Sequence, residues 1–218
     1  MTKVFLSAGH GGSDPGAVAN GLYEKTINLN VLLACKSELE RHGVTVVCSR
    51  TKDENDPVID EANEANNSKA DVAVSFHVNA GGGDGFEVFY HSSSSKGKLL
   101  ASLCEKYVKT LNQNSRGVKH GDRLHFIKKT TMPAVLIESF FIDNKVDKTI
   151  GDTIGEQTQL GAIYAKAILD YFNIPYVAAP SSDSMYRVQV GAYRNKANAK
   201  SMQSKLKAAG FDAIIVQP

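Results

Sequence analysis

Apolar residues change their spacing several times along the first part of the chain, and each change marks an element. Val4-Phe5-Leu6 is a short apolar run that stops at Gly9, Gly11 and Gly12, as a buried strand entering a loop would. From 24 to 42, apolar residues recur at helical spacing through Ile27, Val31, Leu32, Cys35 and Leu39, and Gly43 supplies a C-terminal stop. Val44-Thr45-Val46-Val47-Cys48 has the β-branched content of a strand; Asp56-Pro57 has the chemistry of an N-cap and first turn for a helix reaching Ala65. Further strands are predicted over 71–76, over 86–90 after Gly81-Gly82-Gly83, and over 133–138, with helices over 98–111 and 156–171. Strands alternating with helices predict an α/β fold: a mostly parallel twisted sheet with helices on both faces.

After Ile174-Pro175 the pattern breaks into Pro, Ala and Ser, which have too little apolar surface to fold. Beyond that stretch a strand is predicted over 186–190, a helix over 197–208 closed by Gly210, and a second strand over 211–216. The expected plan is a large domain at 1–174, a linker at 175–184 and a small βαβ unit at 185–218.

Composition narrows the function classes. The 218 residues carry a formal net charge of +2, with no concentration of Lys and Arg of the kind a nucleic-acid footprint needs, so nucleic acid is not expected as a partner. No run reaches the roughly 18 apolar residues of a membrane span, so no membrane insertion is expected. Met1-Thr2-Lys3-Val4-Phe5-Leu6 lacks a signal peptide's apolar stretch and cleavage site; synthesis in the cytoplasm is therefore expected, and action on any target outside the membrane would follow membrane permeabilisation. Cys35, Cys48 and Cys104 are odd in number and suit reduced packing residues better than a disulfide framework or a metal site.

The candidate chemistry lies at the ends of predicted strands. His10 follows the first strand and His77 the one over 71–76, and ligand crevices of parallel sheets lie at the carboxyl ends of strands. Glu24 opens the first long helix, and Glu138 ends the strand over 133–138. Two histidines and a carboxylate form a familiar catalytic zinc set with a fourth position open. Each residue also has a plainer reading. A histidine after a strand often caps or hydrogen-bonds, and Glu24 alone is a first-turn acid favoured by the helix dipole. Glu138 follows Val135-Leu136-Ile137, where an unpaired buried carboxylate is costly. His42 suits a last helical turn, His91 and His120 lie in or beside loops, and His125 is the spare candidate.

Ser7-Ala8-Gly9-His10-Gly11-Gly12, followed by Asp14-Pro15-Gly16, resembles the opening of the zinc-dependent N-acetylmuramoyl-L-alanine amidases of endolysin and autolysin type. Glu24-Lys25 with Asn28-Leu29, Ser49-Arg50-Thr51, Ser75-Phe76-His77-Val78-Asn79-Ala80 and Pro133-Ala134-Val135-Leu136-Ile137-Glu138 look like that family's later blocks, in order over 3–173. The resemblance implies that His10, Glu24 and His77 bind Zn2+ and that Glu138 is the catalytic carboxylate; Arg50 and Asn79 are candidate substrate contacts, each equally readable as a local hydrogen-bonding residue. The family usually has a small residue and glycine after this Glu, where the chain has Ser139-Phe140, so Phe140 is expected to reshape the pocket floor.

The tail, through Tyr186-Arg187-Val188-Gln189-Val190-Gly191-Ala192-Tyr193 and Gly210-Phe211, resembles the first half of a sporulation-related (SPOR) repeat, which binds peptidoglycan glycan. One βαβ half has too small a core to stand alone, which predicts a homodimer pairing two halves across a twofold axis. The reaction so implied is hydrolysis of the amide between N-acetylmuramic acid and L-alanine in bacterial peptidoglycan. A zinc carboxypeptidase or endopeptidase, a non-catalytic wall-binding protein and an enzyme of imported wall fragments are the competing classes.

Overall fold

The computed structural model describes residues 2–178, 190–209 and 213–215. The chain divides into two compact units, Met1–Val177 and Ala178–Pro218. In the first, β1 (Lys3–Ala8) leads through a small hairpin, β2 (Val18–Ala19) and β3 (Leu22–Tyr23), into α1 (Glu24–Arg41). There follow β4 (Thr45–Cys48), α2 (Val58–Ser68), β5 (Val72–Asn79), β6 (Phe86–Tyr90), α3 (Ser95–Val108), β7 (Ser115–His120), α4 (His125–Lys129), β8 (Ala134–Phe141) and α5 (Ile154–Tyr171). The described part of the second unit contains one helix, α6 (Lys196–Ala208), whose first turn is capped by the Asn195 side chain.

Six strands form one sheet in the order β4-β1-β5-β8-β6-β7. β4, β1, β5 and β8 are parallel; β6 pairs antiparallel to β8, and β7 parallel to β6. The α/β fold with a mostly parallel sheet is as expected, with the reversal of β6 added by the structure. This reversal brings the start of β6 beside the end of β8, where Glu87 is the register partner of Glu138.

The two faces of the sheet are filled differently. On one, Val4, Leu6, Val74, Phe76, Val88, Val135 and Ile137 join apolar residues of α1, α3 and α5 in the large core. On the other, Phe5, Ala73, Ala134 and Leu136 meet Ala65 of α2 and Phe126 and Ile127 of α4 in a smaller one. Side chains of a strand alternate between faces, so Ser7, Ser75, His77, Glu138 and Glu87 share the face of the smaller core, beyond its apolar end.

Several expectations need correction. β5 runs to Asn79 and β8 to Phe141, so His77 and Glu138 stand within strands and not at their ends. Pro57, not Asp56, is the N-cap residue of α2, without a side-chain cap; Asp56 is not part of the helix. β7 and α4 were not predicted: β7 has no alternation, and α4 is a single short turn. A register shift between His77 and Asn79 turns Phe140 into the large core, fully buried, so it does not line the face that carries Glu138. The tail strands predicted over 186–190 and 211–216 lie largely outside the described residues.

Candidate active site and metal-binding cluster

The loop after β1 places the first histidine by a local device. Gly11 and Asp14 exchange backbone hydrogen bonds (2.9 and 3.0 Å), folding the loop back so that Asp14 lies beside the His10 ring. His10 itself sits in the left-handed region at φ 66°, a costly conformation for a side-chain-bearing residue and one that concentrates at functional sites. Its Nδ1 donates to Asp14 Oδ2 at 2.8 Å, leaving Nε2 facing Glu24 Oε1 at 3.3 Å.

Glu24 opens α1, where the helix dipole favours a carboxylate. Its Oε2 accepts from the Ala17 N–H (2.8 Å), and its Oε1 from the Val78 N–H (3.2 Å) and the Asn28 amide (3.4 Å). His77 approaches from β5: Nδ1 lies 3.1 Å from Glu24 Oε1 and Nε2 is 3.1 Å from Ser75 Oγ. One ligand atom from each of His10, Glu24 and His77 lies within 4.8 Å of the others.

Two glycines make this convergence possible. A Cβ on Gly9 would come within 2.0 Å of His77 Cε1, and one on Gly16, at φ 63°, within 2.6 Å of Glu24 Oε2. The cradle therefore closes around three side chains that only glycine backbones can approach.

Electrostatics agree with the geometry. Burial works against the charged form of Glu24, yet the hydrogen bonds from His10 and His77 hold its carboxyl well below the usual range. The Glu24 carboxylate pushes His10 up to about 9, and it also raises His77 despite the burial that opposes charge there. A site whose carboxylate favours positive charge on both imidazoles would also favour a dication. The donor set fits a zinc-type ion: two imidazole nitrogens and one carboxylate, with the other ring nitrogen of each histidine held by Asp14 or Ser75, as metal-ligating histidines require.

Glu138 is the register partner of His77 on the neighbouring strand. Burial pushes its carboxyl up to about 7, with the charge of His77 offsetting part of the rise. Its Oε2 is enclosed and has no hydrogen-bond partner among the described residues. A carboxyl group that titrates near neutrality can both take and return a proton.

The remaining predicted contacts separate. Arg50 is 2% exposed and donates to the carbonyls of Ala8 (2.9 Å), Lys25 (2.7 Å) and Lys52 (3.2 Å); these bonds fit its local role of holding the His10 loop against α1. Asn79 ends β5 half-buried, its Oδ1 accepting the Ala80 N–H at 2.9 Å. His125 opens α4 and is not part of the converging group. Sequence reasoning gave no role to Asp14, Ser75 or Glu61. Asp14 and Ser75 had local signals, four residues after His10 and two before His77; Glu61, buried on α2 and accepting from Ser7 Oγ at 2.6 Å, had none.

Fold and site together define a class: an α/β protein whose sheet face gathers His10, Glu24 and His77 into a cluster that could hold a metal ion, with Glu138 on the neighbouring strand. A family model described as N-acetylmuramoyl-L-alanine amidase matches residues 4–170, and one described as SPOR domain matches 157–217. The chain is 37% identical over 220 residues to the sporulation-specific N-acetylmuramoyl-L-alanine amidase of Bacillus subtilis, covering 99% of this chain and 85% of that protein. It is 40% identical over 184 residues to an endolysin of Bacillus phage SPP1, covering 80% and 68% of the two chains. The solved catalytic domain of the amidase CwlV from Paenibacillus polymyxa superposes with a TM-score of 0.75 at 32% identity, covering 80% of this chain and all of that one. The chain belongs to the N-acetylmuramoyl-L-alanine amidase family. It is an amidase that hydrolyses the amide between N-acetylmuramic acid and L-alanine of peptidoglycan.

Proposed function

We propose that this amide hydrolysis runs on a zinc ion held by His10, Glu24 and His77, with Glu138 as the proton carrier. The observation that carries the reading is the convergence of three donor atoms within 4.8 Å beside a carboxyl whose enclosed oxygen has no partner among the described residues. When bound, zinc supplies Lewis acidity, which polarises the scissile carbonyl and makes water acidic enough to deprotonate near neutral pH. The chain's own residues do the rest. Asp14 and Ser75 fix the ring orientations of His10 and His77, and the Ala17 and Val78 amides fix the Glu24 carboxylate. The Glu138 carboxyl group takes a proton from the attacking water and returns it to the departing L-alanine nitrogen, so no side chain becomes acylated. In this reading Asn79, the half-buried last residue of β5, contacts substrate. The test is Glu138→Gln, which should keep stoichiometric zinc and lose turnover; near-normal wall clearing would remove Glu138 from this role. Loss of zinc from His10→Ala and His77→Ala checks the ligand set.

The same proposal covers the tail, read as a linker over 175–184 and a glycan-binding unit over 185–218 that pairs with a second copy. In its described part α6 buries no residue, and Val190, Tyr193, Ile214 and Ile215 are exposed, as in a unit that lacks a partner for its apolar positions. The SPOR match at 157–217 supports glycan as the ligand. Two linked units would raise wall affinity through avidity. Light scattering should find the full chain dimeric and a chain ending at Pro175 monomeric; a monomeric full chain at micromolar concentration would refute the pairing.

A further inference from the structure

One carboxylate on the active-site face is served by two cations. Glu87, the register partner of Glu138, is 6% exposed, and its Oε1 accepts from both Arg116 Nε and Lys119 Nζ, the latter at 2.8 Å. Neutralising a buried carboxylate requires a single positive charge, so the trio keeps an excess of one. Both cations remain open to solvent, with 43% of the Arg116 side chain and 36% of the Lys119 side chain exposed. The Arg116 guanidinium is also held in place, 5.2 Å over the Phe141 ring, and Nε is its sole hydrogen-bonding nitrogen among the described residues. Its remaining N–H groups form a fixed, unspent fork, the geometry that suits a carboxylate.

We propose that Arg116 and Lys119 form a subsite for a carboxylate of the stem peptide, that of the residue following L-alanine. The inference rests on the amidase reading, which places the scissile amide beside Glu138. From β8 to β7 is two strand spacings, about 10 Å, with long side chains reaching back across the gap. In the substrate, the residue after L-alanine is a D-glutamate linked through its side-chain carboxyl, so its α-carboxyl branches from the backbone as a free carboxylate or as an amide. An extended dipeptide spans about 7 Å at most, which carries that group from the scissile nitrogen towards β7. A free carboxylate would meet the excess charge through charge-assisted bonds; an amide would forfeit most of that gain. The subsite would thus select walls by the amidation state of the second stem residue.

The experiment uses the full-length, zinc-loaded enzyme and uncross-linked glycan strands whose stems carry either free D-glutamate or D-isoglutamine. The kcat/KM ratio between the two strands is the readout. The expected result is a preference for the free carboxylate of about tenfold or more, residing in KM and collapsing towards one in Arg116→Gln and Lys119→Gln. Should either variant fold poorly because Glu87 is left short of partners, combining it with Glu87→Gln removes the uncompensated charge and preserves the comparison. Equal kcat/KM on both strands in the unmodified enzyme, or a ratio the variants leave intact, overturns the subsite and assigns the two cations to Glu87 alone. Cleavage of neither strand overturns the amidase reading and the subsite with it, a result distinguishable from equal cleavage of both.

Discussion

The two faces of the central sheet put the same alternating strands to opposite uses. On the α1–α3–α5 face the strand positions are mostly apolar and buried, from Val4 and Leu6 through Phe76 to Ile137, and the buried polar Ser139 is satisfied by the Tyr164 hydroxyl at 2.9 Å. On the opposite face the apolar positions Phe5, Ala73 and Leu136 give way, further along each strand, to Ser7, His77 and Glu138. A single strand such as β5 thus anchors the fold with Phe76 and presents chemistry with His77. The difference teaches that the site need not be carried by flexible loops: its groups are stiff because their neighbours in sequence are pinned in a close-packed core. The cost is borne on the site face, in a carboxyl oxygen enclosed without a partner among the described residues and a histidine at positive φ.

If the division holds, substitutions on the two faces should separate turnover from stability. The largest effect is expected from Glu138→Gln: activity on peptidoglycan falls by about 10²–10⁴-fold, while the thermal midpoint holds, because the amide keeps the shape of the side chain and leaves no charge to bury. A drop in stability matching the loss of activity would break the comparison. Phe76→Ala, on the other side of the same strand, should cost about 3–5 kcal/mol in denaturant unfolding. Below its midpoint the folded fraction should keep near-normal kcat, and a large fall in kcat per folded molecule would show that the faces are not independent. Asp14→Asn tests the support of the cluster: zinc affinity, read by chelator competition, should weaken by about 10–100-fold with little change in unfolding. The smallest effect is expected from Tyr164→Phe, which removes one buried hydrogen bond from the large core; about 1 kcal/mol of stability should go, with zinc content and turnover unchanged.

Much of the architecture could be read locally. Helical periodicity over α1 and α5, β-branched runs over β4 and the centre of β8, and glycine stops after β1 and α1 are properties of a few consecutive residues, and the structure places those elements within a few positions of expectation. His10, Glu24, His77 and Glu138 stand out as candidates for the same reason. Each stands in a short block whose neighbours declare a strand end, a helix start or a buried strand, and the order of the blocks carries the family resemblance. What one sequence could not settle was every choice of partner. That β6 reverses against β8, that β7 forms at all around Gly117, and that Glu87 therefore lies opposite Glu138 depend on pairings between segments dozens of residues apart, and strand propensity is set largely by such neighbours. Phe140 illustrates the limit, because one register shift moved it from the expected pocket floor into the core. Arg50 shows it too: its type and position suited substrate or scaffold equally, and only packing against the carbonyls of Ala8, Lys25 and Lys52 pointed to the scaffold. Local sequence decided which side chains could do chemistry and which elements would carry them. Tertiary structure decided which of those groups meet, because meeting depends on strand order, direction and register, and no short stretch of chain encodes these.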